Sequence, residues 1–504
     1  MKKIIKLSVV AFAFLAMASC KKFLEENPPS AYTPANYYKS LVQAQNAVNG
    51  IYASISTLYS QGGNFDDLAV LLLEMPTGQA NTDINQSVSN QELLHLSTSS
   101  ADLYVREWWR TCYKGIDAAN LAITNISAMP ASAVSAAQKS QLIGQAQFLR
   151  AWFYFYLVRI YGDVPLITTP TTGAVGTQIP RNATKDIYEK LIVPDLLAAE
   201  QSGLPFADHT GRVSLGAVKA LLAKVYETMA GYPLQQADKY ALAKAKALEV
   251  ISSGQFTLYS NYDQFRDPAN DNAMENIFMA QFSSTAWSSP MYNWTLPEFS
   301  SLTGSNAGTG ALTPDLTFYK SFAAGDKRGQ EGQYFFSHYL SQTTGKDFVF
   351  PTGQHIFKYF DNVAYAANAP SGKCYPLIRL TDIMLLYAEA QNEADGTPDA
   401  NSYSYINQVR SRAGLTPLVG LSQDQFRQAV WNERNHELCF ENITWFDMVR
   451  TRMAYDAKNN VFVPLVGYVF PNSVSTTFAT KNLLFPLPQS EIQANPKLTQ
   501  NPGY

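Results

Sequence analysis

Histidine and cysteine are scarce, at five and four in 504 residues. Beyond Cys20 only Cys112, Cys374 and Cys439 remain, an odd number at wide separations. That excludes a disulfide framework and a Cys-x-x-Cys metal pair, and predicts three buried free thiols. His436-Glu437 opens like a zincin helix, but Phe440 stands where the second histidine belongs, so no metal site and no cofactor are expected. Gly-x-Ser-x-Gly, P-loop and Gly-x-Gly-x-x-Gly patterns are missing, which removes three common enzyme classes. No basic cluster exists to oppose a formal charge of -3, so nucleic acid is not an expected partner. After the N-terminus no run approaches the roughly 20 apolar residues of a spanning helix; the longest, Ala151 to Val158, is stopped by Arg150 and Arg159. No charged or Pro/Ser-rich linker divides the chain, which favours one large body.

What is present begins with Lys2, Lys3 and Lys6 ahead of an apolar run from Leu7 to Ala18, a signal-peptide layout. The run ends at Met17-Ala18-Ser19-Cys20, which resembles a bacterial lipobox and makes Cys20 the expected lipidated residue. Several acyl chains, at about 0.8 kcal/mol per buried methylene, give a stable anchor to an outer membrane. The expected organisation is a signal at 1–19, a lipidated tether at 20–34 and a body at 35–504. Without the signal the formal charge falls from -3 to about -6.

Helical periodicity dominates the body. Asp102 to Ser127 carries Trp109, Tyr113, Ile116, Asn120 and Ile123 on one stripe, and Ala136 to Tyr161 is apolar on two faces, as in a central helix. Thr184 to Glu200, Ser214 to Ala230 and Gln236 to Ser252 form a second group. Leu380 to Glu393, Ala400 to Ala413, Ser422 to Phe440 and Trp445 to Arg452 form a third. Short turns between long helices imply stacked antiparallel hairpins. The expected fold is mostly α: a tetratricopeptide-like scaffold, mainly 35–255 and 376–452, carrying a loop-rich, partly β, ligand-facing region at about 256–375. Gln333 to Leu340 and Phe348 to Phe360 are the strand candidates.

Seven segments, in order, resemble the SusD/RagB family of nutrient-binding lipoproteins. They are Trp109-x-x-x-Tyr113-x-x-Ile116-x-x-Ala119-Asn120; Phe148-Leu149-Arg150-Ala151 through Tyr161-Gly162-Asp163-Val164-Pro165; Ala217 to Tyr226; Ile378-Arg379-Leu380-Thr381-Asp382 with Tyr387 to Glu393; Val409 to Gly414; Glu433-Arg434 through Glu437 with Trp445-Phe446-Asp447; and Phe485 to Pro488 with Gln500 to Tyr504. The resemblance implies a helical half, a loop-rich ligand-facing half, and a SusC-like TonB-dependent outer-membrane transporter over which the protein acts as a lid. Asn442-Ile443-Thr444 departs from the pattern, since relatives usually show a glycine and an arginine there; a local turn and one ion pair are thereby in question.

Glu433, Glu437 and Asp447 are close enough in sequence to invite a glycoside-hydrolase reading. Their arginine neighbours make buried ion pairs the expected role and no catalytic residue is assigned. Asp267, Asn270 and Asp271 lack EF-hand spacing and read as a solvated turn rather than a calcium site. Ser283 to Thr313 is the more informative stretch: Glu298 is its one charge, and Trp287, Tyr292 and Trp294 stand among small polar residues. Loops longer than about 12–15 residues tend to be functional or disordered, and disordered ones are poor in aromatics. Indole and phenol rings offer flat faces for the C–H faces of sugars. A second polar loop, Gly78 to Ser100, offers Asn81 and Asp83 for sugar hydroxyls. The expectation is non-catalytic capture of a glycan by Trp287, Tyr292, Trp294, Asn81 and Asp83. Peptide cargo, a hydrolase and a pure interaction scaffold are the alternatives.

Overall fold

The computed structural model describes residues 37–60, 69–83, 87–171, 173, 178–297, 308–351, 353–472 and 474–504. The expected signal, Cys20 and the tether lie outside the described residues.

Helices start where a side-chain oxygen can satisfy the free N–H groups of a first turn, a contact worth about 1 kcal/mol. Ser40 does this for α1 (Leu41–Leu58), Asp102 for α2 (Leu103–Ala128) and Ser135 for α3 (Ala136–Tyr161), the last in a reciprocal box with Gln138. A π-turn at Tyr188–Ile192 runs directly into α4 (Val193–Glu200), Ser214 caps α5 (Leu215–Ala230), and α6 is Lys239–Ile251. The short helices of the loop-rich lobe include α7 (Met291–Thr295) and α8 (Asn362–Ala367). The scaffold then resumes with α9 (Leu380–Asp395), α10 (Ala400–Arg412), α11 (Gln423–Glu437) and α12 (Thr444–Thr451). No described helix is long and apolar enough to cross a membrane.

The architecture is mostly α and tetratricopeptide-like: α2 packs on α3, α5 on α6, α6 on α9, and α9 on α10 and α11. From Phe148 to Val158 every residue of α3 is buried, as the two-faced apolar pattern requires. Where α2 crosses it, a Cβ on Gly115 would lie 2.3 Å from the Phe153 ring, so only glycine permits this approach.

Strands are short; apart from an antiparallel hairpin of Met453–Asp456 with Val461–Pro464, they are β1 (Ala80–Asn81), β2 (Asn276–Ala280), β3 (Thr313–Pro314), β4 (Phe335–Phe336), β5 (His338–Leu340), β6 (Asp347–Val349), β7 (His355–Ile356) and β8 (Tyr375–Arg379). They pair antiparallel as β1–β3, β2–β8, β4–β7 and β5–β6. Pair β2–β8 is buried along its whole length and joins the lobe to the scaffold, with Phe278 edge-on to Phe148 at 5.1 Å. The lobe has its own small core of Tyr292, Leu296, Phe336, Phe350, Phe357 and Phe360.

The family-like charged positions cross-link these elements. Arg150 on α3 makes two 2.8 Å contacts to Asp195 on α4 and one of 2.7 Å to Asn120 on α2. Arg434 on α11 bridges Asp382 on α9 and Asp447 on α12, each at 2.9 Å. Such pairs are costly to desolvate, and removing one partner strands a buried charge. Cys112, Cys374 and Cys439 are free and buried, as expected.

Candidate ligand-binding face

The two polar loops singled out in the sequence do meet. β1 pairs with β3 so that Asn81 faces Thr313, and the Asp83 amide donates to the Gly310 carbonyl at 2.7 Å. The same strand continues to α7, since the Leu312 amide donates to the Trp294 carbonyl at 3.0 Å and the Gly310 amide to that of Leu296 at 2.8 Å. Asn81 is partly buried, and the Asp83 carboxylate approaches His355 Nε2 at 3.4 Å. Burial lowers the pKa of His355 to about 4, so near neutrality this contact involves a neutral imidazole.

The expected open platform of three rings is not formed. Tyr292 and Trp294 are each 1% exposed, Tyr292 beneath Phe360 in the lobe core and Trp294 in the main core. The reason is local: Met291–Thr295 is a short helix, not loop, and it turns both rings inward. A lobe with so little regular structure draws on its own aromatics to exclude water. Trp287 alone of the three is open, 39% exposed beside a turn closed by reciprocal Ser283 and Trp287 backbone bonds of 2.9 and 3.1 Å.

Other rings take the accessible positions. In the β5–β6 hairpin Tyr339 stands opposite Phe348, both partly buried against the lobe core, while His338, Leu340, Asp347 and Val349 point to solvent. Tyr365 on α8 is edge-on to Tyr339 at 4.7 Å. The Trp287 turn is tied to this region because Ser289 N–H donates to the Ser371 carbonyl at 2.9 Å, and the Ser371 hydroxyl to Asp361, the α8 cap, at 2.7 Å. Burial pushes the Tyr339 hydroxyl up to about 12, so it remains a neutral donor. The sequence places Tyr339 and Phe348 in strand candidates without marking either as ligand-facing. The period-2 alternation of His338-Tyr339-Leu340 was the available sign that one face differs from the other.

Of the carboxylates that invited a hydrolase reading, Glu433 and Glu437 are sealed inside and Asp447 is partly buried. Glu433 meets Arg328 at 2.6 Å, and Glu437 meets Arg412 at 2.7 Å and Arg328 at 3.2 Å, all four side chains being nearly inaccessible. Burial alone would raise the Glu437 carboxyl, but Arg412, Arg379 and Arg328 overcome it and hold it at about 2. Asp447 is likewise held well below the carboxylate range by Arg434 and Arg450 against its burial. His436 is a buried ring whose Nδ1 faces the Asn432 carbonyl at 2.9 Å, and burial lowers it to about 4. No group of three metal-binding side chains forms among the described residues. Asp267 caps a 3-10 turn and Asp271 accepts from the Cys374 amide at 2.7 Å, so their oxygens serve the backbone.

Comparison with known proteins agrees in kind. The family model described as SusD family matches residues 326–504, and that described as starch-binding, associating with outer membrane, matches residues 22–226. A SusD superfamily protein from Parabacteroides distasonis is 40% identical, with a TM-score of 0.88 over 92% of this chain and 99% of that one. A SusD-like protein of Formosa agariphila is 29% identical over 97% of this chain and 98% of its own. A laminarin-binding SusD-like protein shares the fold, with a TM-score of 0.74, 23% identity, and coverage of 93% of this chain and 100% of its own. On the strength of the 40% identity carried across nearly both full lengths, this chain belongs to the SusD family.

Proposed function

We propose that the protein captures a neutral glycan at the loop-rich lobe without cleaving it and passes it to a SusC-like TonB-dependent barrel in the outer membrane. The observation that carries this reading is the solvent-open indole of Trp287, on the same lobe as the half-open rings of Tyr339, Phe348 and Tyr365. Sugar C–H faces lie on such rings, and amide or carboxylate groups such as those of Asn81 and Asp83 suit the hydroxyls. Further support comes from a family description that names starch binding and the outer membrane, and from a fold relative that binds laminarin. A signal at 1–19, acylation of Cys20 and a tether at 20–34 would hold the body at the cell surface. Non-catalytic action is favoured because Glu433 and Glu437 have no route to a substrate; hydrolysis by a carboxylate pair needs both groups in a cleft. Calorimetric titration with a panel of neutral oligosaccharides, run beside a reducing-end assay, tests the proposal. Saturable binding without new reducing ends is expected; new ends, or no binding across the panel, contradict it.

A further inference from the structure

A large cleft, about 1150 Å³, lies on the scaffold, away from the loop-rich lobe. Its walls come from the C-terminal end of α3, the turn after α5, α12, and the chain terminus near Lys481 and Asn501. Single small-molecule sites run to roughly 300–1,000 Å³, so this one has room for an oligomer.

Its charge is unlike that of the acidic chain around it. Arg159 lies between the Phe155 and Phe446 rings, 3.6 Å from each centroid, and donates from Nε to the Phe155 carbonyl at 2.9 Å. Its other polar neighbours are the hydroxyls of Tyr156, Tyr188 and Tyr59, and among the described residues no carboxylate forms an ion pair with it. Stacking on both faces leaves the guanidinium edge as its reactive side, and burial lowers its pKa, a cost that an anion would relieve. Arg452, in left-handed backbone at φ 59° at the end of α12, lies 5.0 Å above the Tyr232 ring, and Lys481 lies 5.1 Å above that of Tyr504. Neither makes an ion pair among the described residues. The single lining carboxylate, Asp163, accepts from the Thr184 amide and hydroxyl at 2.7 and 2.9 Å. Cations concentrated in a concave, low-dielectric site attract anions far more strongly than scattered ones.

We infer that this cleft is a second ligand site, for a uronate-bearing oligosaccharide whose carboxylates meet Arg159, Arg452 and Lys481. Tyr232, 39% exposed on the wall, gives a ring for the sugar face, and the Thr480 hydroxyl gives a partner for its hydroxyls. The site is independent of the glycan face on the lobe. The test is calorimetry of the mature protein with galacturonotriose, with maltotriose as neutral control and hexaglutamate as a polypeptide anion. Galacturonotriose is expected to bind, more weakly as salt rises. Tenfold or greater loss is expected in Arg159→Gln and, separately, in the surface double variant Arg452→Gln, Lys481→Gln, whose thermal midpoint stays near wild type. Trp287→Ala is expected to leave this binding unchanged. Absence of galacturonotriose binding, equal affinity in the double variant, or binding of hexaglutamate alone would overturn the assignment.

Discussion

Asn442 shows how one side chain can replace a family feature by other means. It sits at φ +56°, a conformation cheap for glycine and tolerated by asparagine, so the turn expected of the family glycine survives. Its Nδ2 donates to Glu74 at 2.8 Å and to the Val70 carbonyl at 3.2 Å, and its amide also donates to Glu74. No ion pair takes up the Glu74 carboxylate among the described residues, and burial outweighs these hydrogen bonds to raise its pKa to about 7. Asn442→Ala is expected to cost about 2–4 kcal/mol, from left-handed strain of about 1–2 kcal/mol and a poorly satisfied carboxylate. Asn442→Gly, free of the strain, is expected to cost about 1–2 kcal/mol less. Urea unfolding of the two variants measures the difference, and equal losses would show that the backbone conformation is not what asparagine protects. At this scale the orientation of the candidate rings is the least legible part of the sequence. Trp287, Tyr292 and Trp294 look alike in a polar stretch, and only the short helix around the last two decides that they face inward.

The long helices could be read almost residue for residue, because periodicity and capping chemistry are local. The stripe from Ala136 to Tyr161 coincides with α3, and Asp102, Ser214 and Ser422 cap helices that the patterns begin there. Strands of two to five residues were only approximately visible, since pairs such as β1–β3 join segments more than 200 residues apart and no local pattern announces a partner. The close approach of α2 and α3 gives a test at this scale. Gly115→Ala would place a methyl within 2.3 Å of Phe153, and overpacking of this kind costs about 1–3 kcal/mol. A lowered thermal midpoint is expected; an unchanged one would mean the helices separate without cost.

The molecule as a whole is stapled by buried charge, and its acid stability should follow. Glu437 has its folded pKa depressed to about 2 from 4.5, and Asp382 and Asp447 are also depressed by their cationic neighbours. Depressed carboxylates stabilise the fold above their unfolded pKa and lose that contribution as pH falls through the folded value. His436, lowered from 6.5 to about 4, withdraws stability as pH falls across that interval. Glu74 and Glu227, raised to about 7, act oppositely and contribute more as pH falls from about 7 to 4.5. The opposing groups should keep the thermal midpoint nearly level from pH 7 to about 5, with a steep fall below about 4.5. A midpoint still level at pH 3 would show that the buried network does not govern acid unfolding.

The mostly α, tetratricopeptide-like architecture was legible from the sequence because it rests on repeated local signals and seven ordered motifs. The large cationic cleft was not, since Arg159, Arg452 and Lys481 come together only through packing of α3, α12 and the chain terminus. The claim at the centre of the functional account is that an open indole on the lobe grips a glycan. Titration of Trp287→Ala with the best neutral oligosaccharide from the panel tests it most directly. The expected result is a tenfold or greater loss of affinity with the thermal midpoint unchanged, because the ring is solvent-open and supports no core. Affinity equal to wild type would contradict it.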